Sequence, residues 1–175
     1  VNALLVIDVQ CGMFANPASP PHEGEAIVAR TAGLIERARA AGTPVIYVQH
    51  DGGPSNPLAL GKPGFPFRPE LAPRPEDPVV VKHHCSAFQD TELAEILALR
   101  GIDHLTICGM QTEFCVDTSC RAAYERGFKV TLVSDAHTTF DGPVLPAEAI
   151  IRHHNALLGD GFVRLRDAEG IQFGA

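Results

Sequence analysis

No stretch of this 175-residue chain approaches the ~20 consecutive apolar residues of a membrane span, although 45% of it is hydrophobic. Clusters of Lys or Arg are missing as well. The 14 basic residues face 21 acidic ones, for a formal net charge of -7, which argues against a nucleic acid or an anionic membrane as partner and leaves small neutral or cationic ligands. The five cysteines (Cys11, Cys85, Cys108, Cys115 and Cys120) are odd in number and lack CxxC spacing. Neither a charged n-region nor an apolar h-region precedes the first strand-like run, so a reducing, cytoplasmic setting is expected. Internal repeats, low-complexity tracts and signs of a second domain are also lacking, and residues 1–175 read as one domain.

What is present is alternation. Apolar runs of four to seven residues, at 3 to 8, 44 to 49, 78 to 82, 104 to 109, 128 to 133 and 161 to 165, predict six strands separated by helix-period stretches. That is the pattern of βαβ units and a buried parallel sheet, an α/β three-layer fold of the Rossmann-like kind. Helical stripes are expected through Ile27, Leu34, Ala38 and Ala41; Leu93, Ile96 and Leu97; Val116, Cys120 and Ala123; and Ile150, His153 and Leu157. Gly42, Gly101, Gly127 and Gly159 stand where each helix should stop, and Pro146 suits the first turn of the last. Residues 51 to 77 are too rich in Pro and Gly for regular structure. A connector this long predicts a lid, a binding wall or a subunit contact, and Phe65, Phe67 and Leu71 are poor choices for a solvated one.

In an open parallel sheet the functional crevice lies beyond the carboxyl ends of the strands, near the point where strand order reverses. Asp8, Lys82 and Cys115 each follow such an end. A thiol at a helix start meets the positive end of the macrodipole, which predicts a lowered pKa, and backbone N–H groups there can hold an oxyanion. Lys82 would further stabilise a thiolate, while Asp8 could take the thiol proton and return it to a leaving amine. The alternative for each residue is structural: a strand-end ion pair and a small buried thiol. Phe14, Phe88 and Phe140, each just after a strand end, are candidates for an apolar pocket, as is His50, with Asp51, at the end of the second strand. Cys108 and Cys120 read as core, and one of His153 and His154 as packed. His83, His84, Cys85 and Cys11 do not read as metal ligands, since consecutive strand residues point to opposite faces.

Asp8-Val-Gln with Phe14, Lys82 followed by Ser86-Ala-Phe88, Gly109-Met-Gln-Thr-Glu-Phe-Cys115-Val, Arg121-Ala-Ala-Tyr-Glu-Arg-Gly127 and Ser134-Asp-Ala136 together resemble the isochorismatase-like cysteine hydrolases. The resemblance covers nearly the whole chain. It implies an amidohydrolase with Asp8, Lys82 and Cys115 as catalytic triad, an oxyanion hole from the Gln111 and Cys115 N–H groups, a cis peptide between Met110 and Gln111, no organic cofactor, and a homodimer or homotetramer. Vinyl-ether hydrolysis of an isochorismate-like compound, which needs an acid and no thiol, is the alternative within the family, and a binding protein on the same fold the alternative outside it. Nicotinamidases hold a metal with Asp-x-His and a further His after the second strand. Here that segment reads Tyr47-Val-Gln-His50-Asp51-Gly-Gly-Pro, so neither a metal nor nicotinamide as substrate is expected.

Overall fold

The computed structural model describes residues 1–174. The apolar runs form β1 (Asn2–Ile7), β2 (Val45–His50), β3 (Val79–Lys82), β4 (His104–Met110), β5 (Lys129–Thr138) and β6 (Arg164–Arg166), all parallel, in the order β3-β2-β1-β4-β5-β6. Among the described residues the α-helices are α1 (Gly24–Ala40), α2 (Leu93–Leu99), α3 (Asp117–Glu125) and α4 (Ala147–Gly161). Sheet order reverses between β1 and β4, so the crevice expected of such a fold opens where those two strands end.

Leu4, Leu5, Val6 and Ile7 are all buried because the sheet is covered on both faces. Leu5, Ile7, Val48 and Val80 pack under α2, α3 and α4, through Leu97, Cys120 and Leu158. Leu4, Val6 and Tyr47 face α1, through Val28, Leu34 and Ala38, and are closed over by Phe67 and Leu71 of the long connector. The connector is thus part of the second core, fastened by a short 3-10 turn at Pro69–Leu71.

Two elements differ from their sequence reading. β5 runs five residues past 133, because a register shift after Ile107 lets His137 and Thr138 pair with Gly109 and Met110. In α4 the inward stripe is Ala147, Ile150 and Leu158, while His153 is exposed and Leu157 largely so. Gly159 does not stop the helix, which continues to Gly161, and it lies so close to Leu165 that a Cβ there would sit 2.8 Å from its Cδ1. Ala41 likewise falls outside α1 and is exposed. Gly42, Gly101 and Gly127 do take up positive φ after their helices. Among the described residues no helix is long and apolar enough to cross a membrane.

Candidate active site

Each of the three side chains is delivered by a different strand end. Asp8 follows β1 with φ of 52°, a left-handed conformation that Asp tolerates better than most residues. Lys82 closes β3. Cys115 lies in a π-helical turn, Thr112–Val116, that joins β4 to α3 after a cis Met110–Gln111 peptide. Asp8 and Lys82 are fully buried and Cys115 is 8% exposed.

Lys82 Nζ lies 2.7 Å from Asp8 Oδ2 and donates to Cys115 Sγ at 3.1 Å. It also meets His50 Nδ1 at 3.2 Å and the His84 carbonyl oxygen at 3.1 Å. An ammonium has three protons, and four acceptors share them here, the Asp8 carboxylate, Cys115, His50 and the His84 carbonyl, with Asp8 the shortest contact. Burial raises the Asp8 pKa, partly offset by Lys82. For Lys82, burial is the largest single influence and pulls the pKa down, but Asp8 and Cys115 together outweigh it, and the net direction is up.

The Cys115 thiol departs from its sequence expectation. Burial first, and then the charge of Asp8, push its pKa up, and Lys82 offsets this only in part. Two groups that can be anionic share one cation, so the favoured state has Lys82 charged and a single proton held between Asp8 and Cys115. Moving that proton from sulfur to carboxylate leaves the net charge of the buried cluster unchanged, so burial does not oppose it.

A cavity of about 360 Å³ opens on this cluster. Asp8, His50 and Cys115 border it on one side; Met13, Phe114 and Phe140 form apolar walls; Asn56, Pro57 and Leu58 of the long connector close the far side, with Gly12, Cys85 and Gln111. Of the sequence candidates for the pocket, His50 and Phe140 are there. Phe14 and Phe88 are not: Phe14 lies under the Arg68 guanidinium at 4.6 Å, and Phe88 packs on Phe128 within the core under α2 and α3. Both rings are claimed by neighbours that cover them before they reach the crevice. The Asp51 carboxylate caps its own loop, accepting from the Gly53 and Leu60 N–H groups at 3.0 and 3.3 Å. A larger cavity, about 600 Å³, lies at the amino-terminal edge of the sheet by Val1, Thr43 and His104, and no thiol borders it.

Sequence reading missed three supports. Gln10, fully buried, accepts from the His50 N–H at 2.9 Å and donates to the His50 and Phe65 carbonyls at 3.0 and 2.8 Å. It stands two residues after Asp8, and its position just past a strand end was the available signal. Thr112 donates to His137 Nδ1 at 2.8 Å, and His137 Nε2–H donates to Asn155 Oδ1 at 2.9 Å, an amide oriented by its bond to the Ser134 carbonyl. Burial lowers the His137 pKa to about 4. Phe114, one residue before the thiol, is 51% exposed at the cavity rim. Exposed His84 pairs with Asp90 at 3.2 Å and the Cys11 thiol donates to the Phe67 carbonyl, so His84 and Cys11 are turned to separate partners. Among the described residues no three His, Cys, Asp or Glu side chains converge as metal ligands would.

Residues 2–155 match the family model of the isochorismatase domain. The chain is 39% identical over 146 residues to a streptothricin hydrolase of Streptomyces noursei, covering 83% of this chain and 52% of that protein. It therefore spans about half the length of that relative. It is 29% identical over 193 residues to the ureidoacrylate amidohydrolase RutB of Azorhizobium caulinodans, covering 90% of this chain and 84% of that one. A crystal structure of an isochorismatase from Pseudomonas putida superposes with a TM-score of 0.91 at 29% identity, over 98% of this chain and 90% of the other.

Proposed function

The chain belongs to the isochorismatase family, and we propose that it is a hydrolase of small amides working through a thioester on Cys115. The observation that carries this reading is the buried cluster in which one ammonium touches a carboxylate at 2.7 Å and a thiol sulfur at 3.1 Å beside a cavity. A fixed structural ion pair has no use for a thiol with access to a cavity, whereas covalent catalysis needs a nucleophile, a base and a compensating charge together.

Asp8 takes the thiol proton as Sγ attacks the amide carbon. Lys82 stays charged and faces the sulfur throughout. The carbonyl oxygen becomes an oxyanion held by the Gln111 and Cys115 N–H groups; the Gln111 carbonyl accepts from Phe114 and Val116, on either side of Cys115, at 3.2 and 3.1 Å. Asp8, now protonated, gives its proton to the nitrogen, the C–N bond breaks, and ammonia or an amine departs. The Asp8 carboxylate then deprotonates water, hydroxide adds to the thioester carbon, and collapse expels the sulfur, which recovers its proton. The products are a carboxylic acid and the amine, with no cofactor or metal in the balance.

Incubation with primary amides, lactams and carbamoyl compounds, followed by intact mass, tests the reading. An acyl adduct on Cys115 is expected for the preferred compound, with no turnover by Cys115→Ala. Asp8→Asn should slow both acylation and deacylation by at least ~10²-fold, the usual loss on removing a general base. Amide hydrolysis that persists in Cys115→Ala would sink covalent catalysis, whereas turnover of a vinyl ether but of no amide would favour the isochorismate-type reaction on the same acid.

A further inference from the structure

The acceptor that Lys82 finds in His50 fixes the chemistry of the opposite edge of that ring. An ammonium can only donate, so Nδ1, 3.2 Å from Lys82 Nζ, is the unprotonated nitrogen, and a neutral ring then carries its proton on Nε2. Burial, and then the charge of Lys82, hold the His50 pKa below its ordinary value, which keeps the ring neutral. Gln10 clamps the His50 backbone from both sides, at 2.9 and 3.0 Å. The ring borders the cavity, and among the described residues Nε2–H has no protein acceptor.

Beyond the Asp8, Lys82 and Cys115 cluster itself, whose carboxylate is the one acidic group on the cavity wall among the described residues, the lining around that donor is uncharged. Met13, Leu58, Phe114 and Phe140 are apolar, Asn56 and Gln111 are neutral amides, and no Arg or Lys borders it. The nearest cation, Lys82, has its three protons shared among Asp8, Cys115, His50 and the His84 carbonyl, and its charge matched by Asp8. A carboxylate entering here would lose its hydration and gain no counter-charge, a heavy penalty for an ion.

Resting on the amide-hydrolase reading above, we propose that the acyl part of the substrate is uncharged and carries a hydrogen-bond acceptor beside the scissile carbonyl, held by His50 Nε2–H. His50 is thereby a specificity-determining residue, and amides bearing a carboxylate at that place are rejected.

Alkylation of Cys115 tests this without any need for turnover, so its outcome is separable from that of the hydrolase reading. Iodoacetamide is neutral with an acceptor, iodoacetate is similar in size but charged, and allyl iodide is neutral with no acceptor. Rate constants at Cys115 are measured by peptide mass in the whole protein, with exposed Cys85 at the cavity rim as internal reference. The preference for iodoacetamide over iodoacetate should be at least about tenfold greater at Cys115 than at Cys85, the size of one unpaired-charge penalty only partly expressed. His50→Asn keeps an oxygen near Nδ1 for Lys82 but has nothing at Nε2, and should cut the iodoacetamide rate about fivefold while sparing allyl iodide, as loss of one hydrogen bond would. His50→Gln, which restores an amide N–H near Nε2, should recover most of that loss. Equal preferences at Cys115 and Cys85, or a loss in His50→Asn shared by iodoacetamide and allyl iodide, would overturn the proposal. Failure to hydrolyse any amide would count against the hydrolase reading instead.

Discussion

Gly109 shows how little room single residues have at the end of β4. Its φ of +129° is open to glycine and strained for other residues, and a Cβ built there runs into the carbonyl oxygen of Ile7 on the neighbouring strand. The contact is with backbone in the middle of the sheet, so nothing flexible can yield. Gly109→Ala should therefore cost about 3 kcal/mol or more, combining a disfavoured φ with overpacking. The urea midpoint of the variant checks this. An unchanged midpoint would mean that β1 and β4 are not held at this separation. Asp8, one residue past Ile7, takes a second positive-φ step at this edge, and its carboxylate lies 2.7 Å from Lys82.

Among the elements, the long connector depends on a clamp rather than on regular structure. It runs beside residues 9 to 12, with Cys11 N–H donating to Pro66 at 2.7 Å, Gly12 N–H to Gly64 at 2.9 Å and Arg68 N–H to Val9 at 3.0 Å. Gln10 ties this pairing to His50, and Gln49 adds a bond to the Phe65 carbonyl at 2.8 Å. Gln10→Leu removes the Gln10 side-chain bonds at similar volume, takes the Gln10 partner from the His50 N–H and carbonyl and leaves the Phe65 carbonyl to Gln49 alone, at ~1–3 kcal/mol for each group left unmet where water cannot reach it. The wall formed by Asn56, Pro57 and Leu58 should then loosen. Expected results are faster proteolytic cleavage within residues 52 to 64 and a fall of about tenfold in kcat/KM, on the order of one misplaced wall of a catalytic pocket. Cleavage at the wild-type rate would show that the core contacts of Phe67 and Leu71 suffice without Gln10.

For the molecule as a whole, His137 is the joint between layers: it lies in β5, bonds Thr112 ahead of the nucleophile, and reaches Asn155 in α4. Its pKa is lowered by burial from 6.5 to about 4. A base with a depressed folded pKa contributes stability that is complete above its unfolded value and is lost as pH falls toward the folded one, because the unfolded chain binds the extra proton in that window. At ~1.4 kcal/mol per unit the loss between pH 6.5 and about 4 reaches at most about 3 kcal/mol. His137→Gln, neutral throughout, should be less stable than wild type at pH 7, with the gap narrowing as pH falls to 4.5. Urea unfolding at the two pH values measures it, and a constant gap would place the buried charge elsewhere.

Strand number, parallel pairing and the meeting edge of Asp8, Lys82 and Cys115 were legible in the sequence, because burial on both faces forces continuous apolar runs and parallel topology forces all carboxyl ends to one side. The helix stops at Gly42, Gly101 and Gly127 were legible for a local reason, since positive φ is a property of one residue. Gly159 was not, because close approach to Leu165 is a contact between α4 and β6 that no local pattern encodes. Phe14, Phe88 and Phe140 are equivalent as sequence, three aromatics after strand ends, and only packing decided that Phe140 borders the cavity while Arg68 covers Phe14 and Phe128 backs Phe88. The thiol pKa was settled the same way. A helix start and a lysine, taken locally, lower it, but the folded chain buries the sulfur and sets Asp8 beside it, and desolvation with a second negative charge outweighs one shared ammonium.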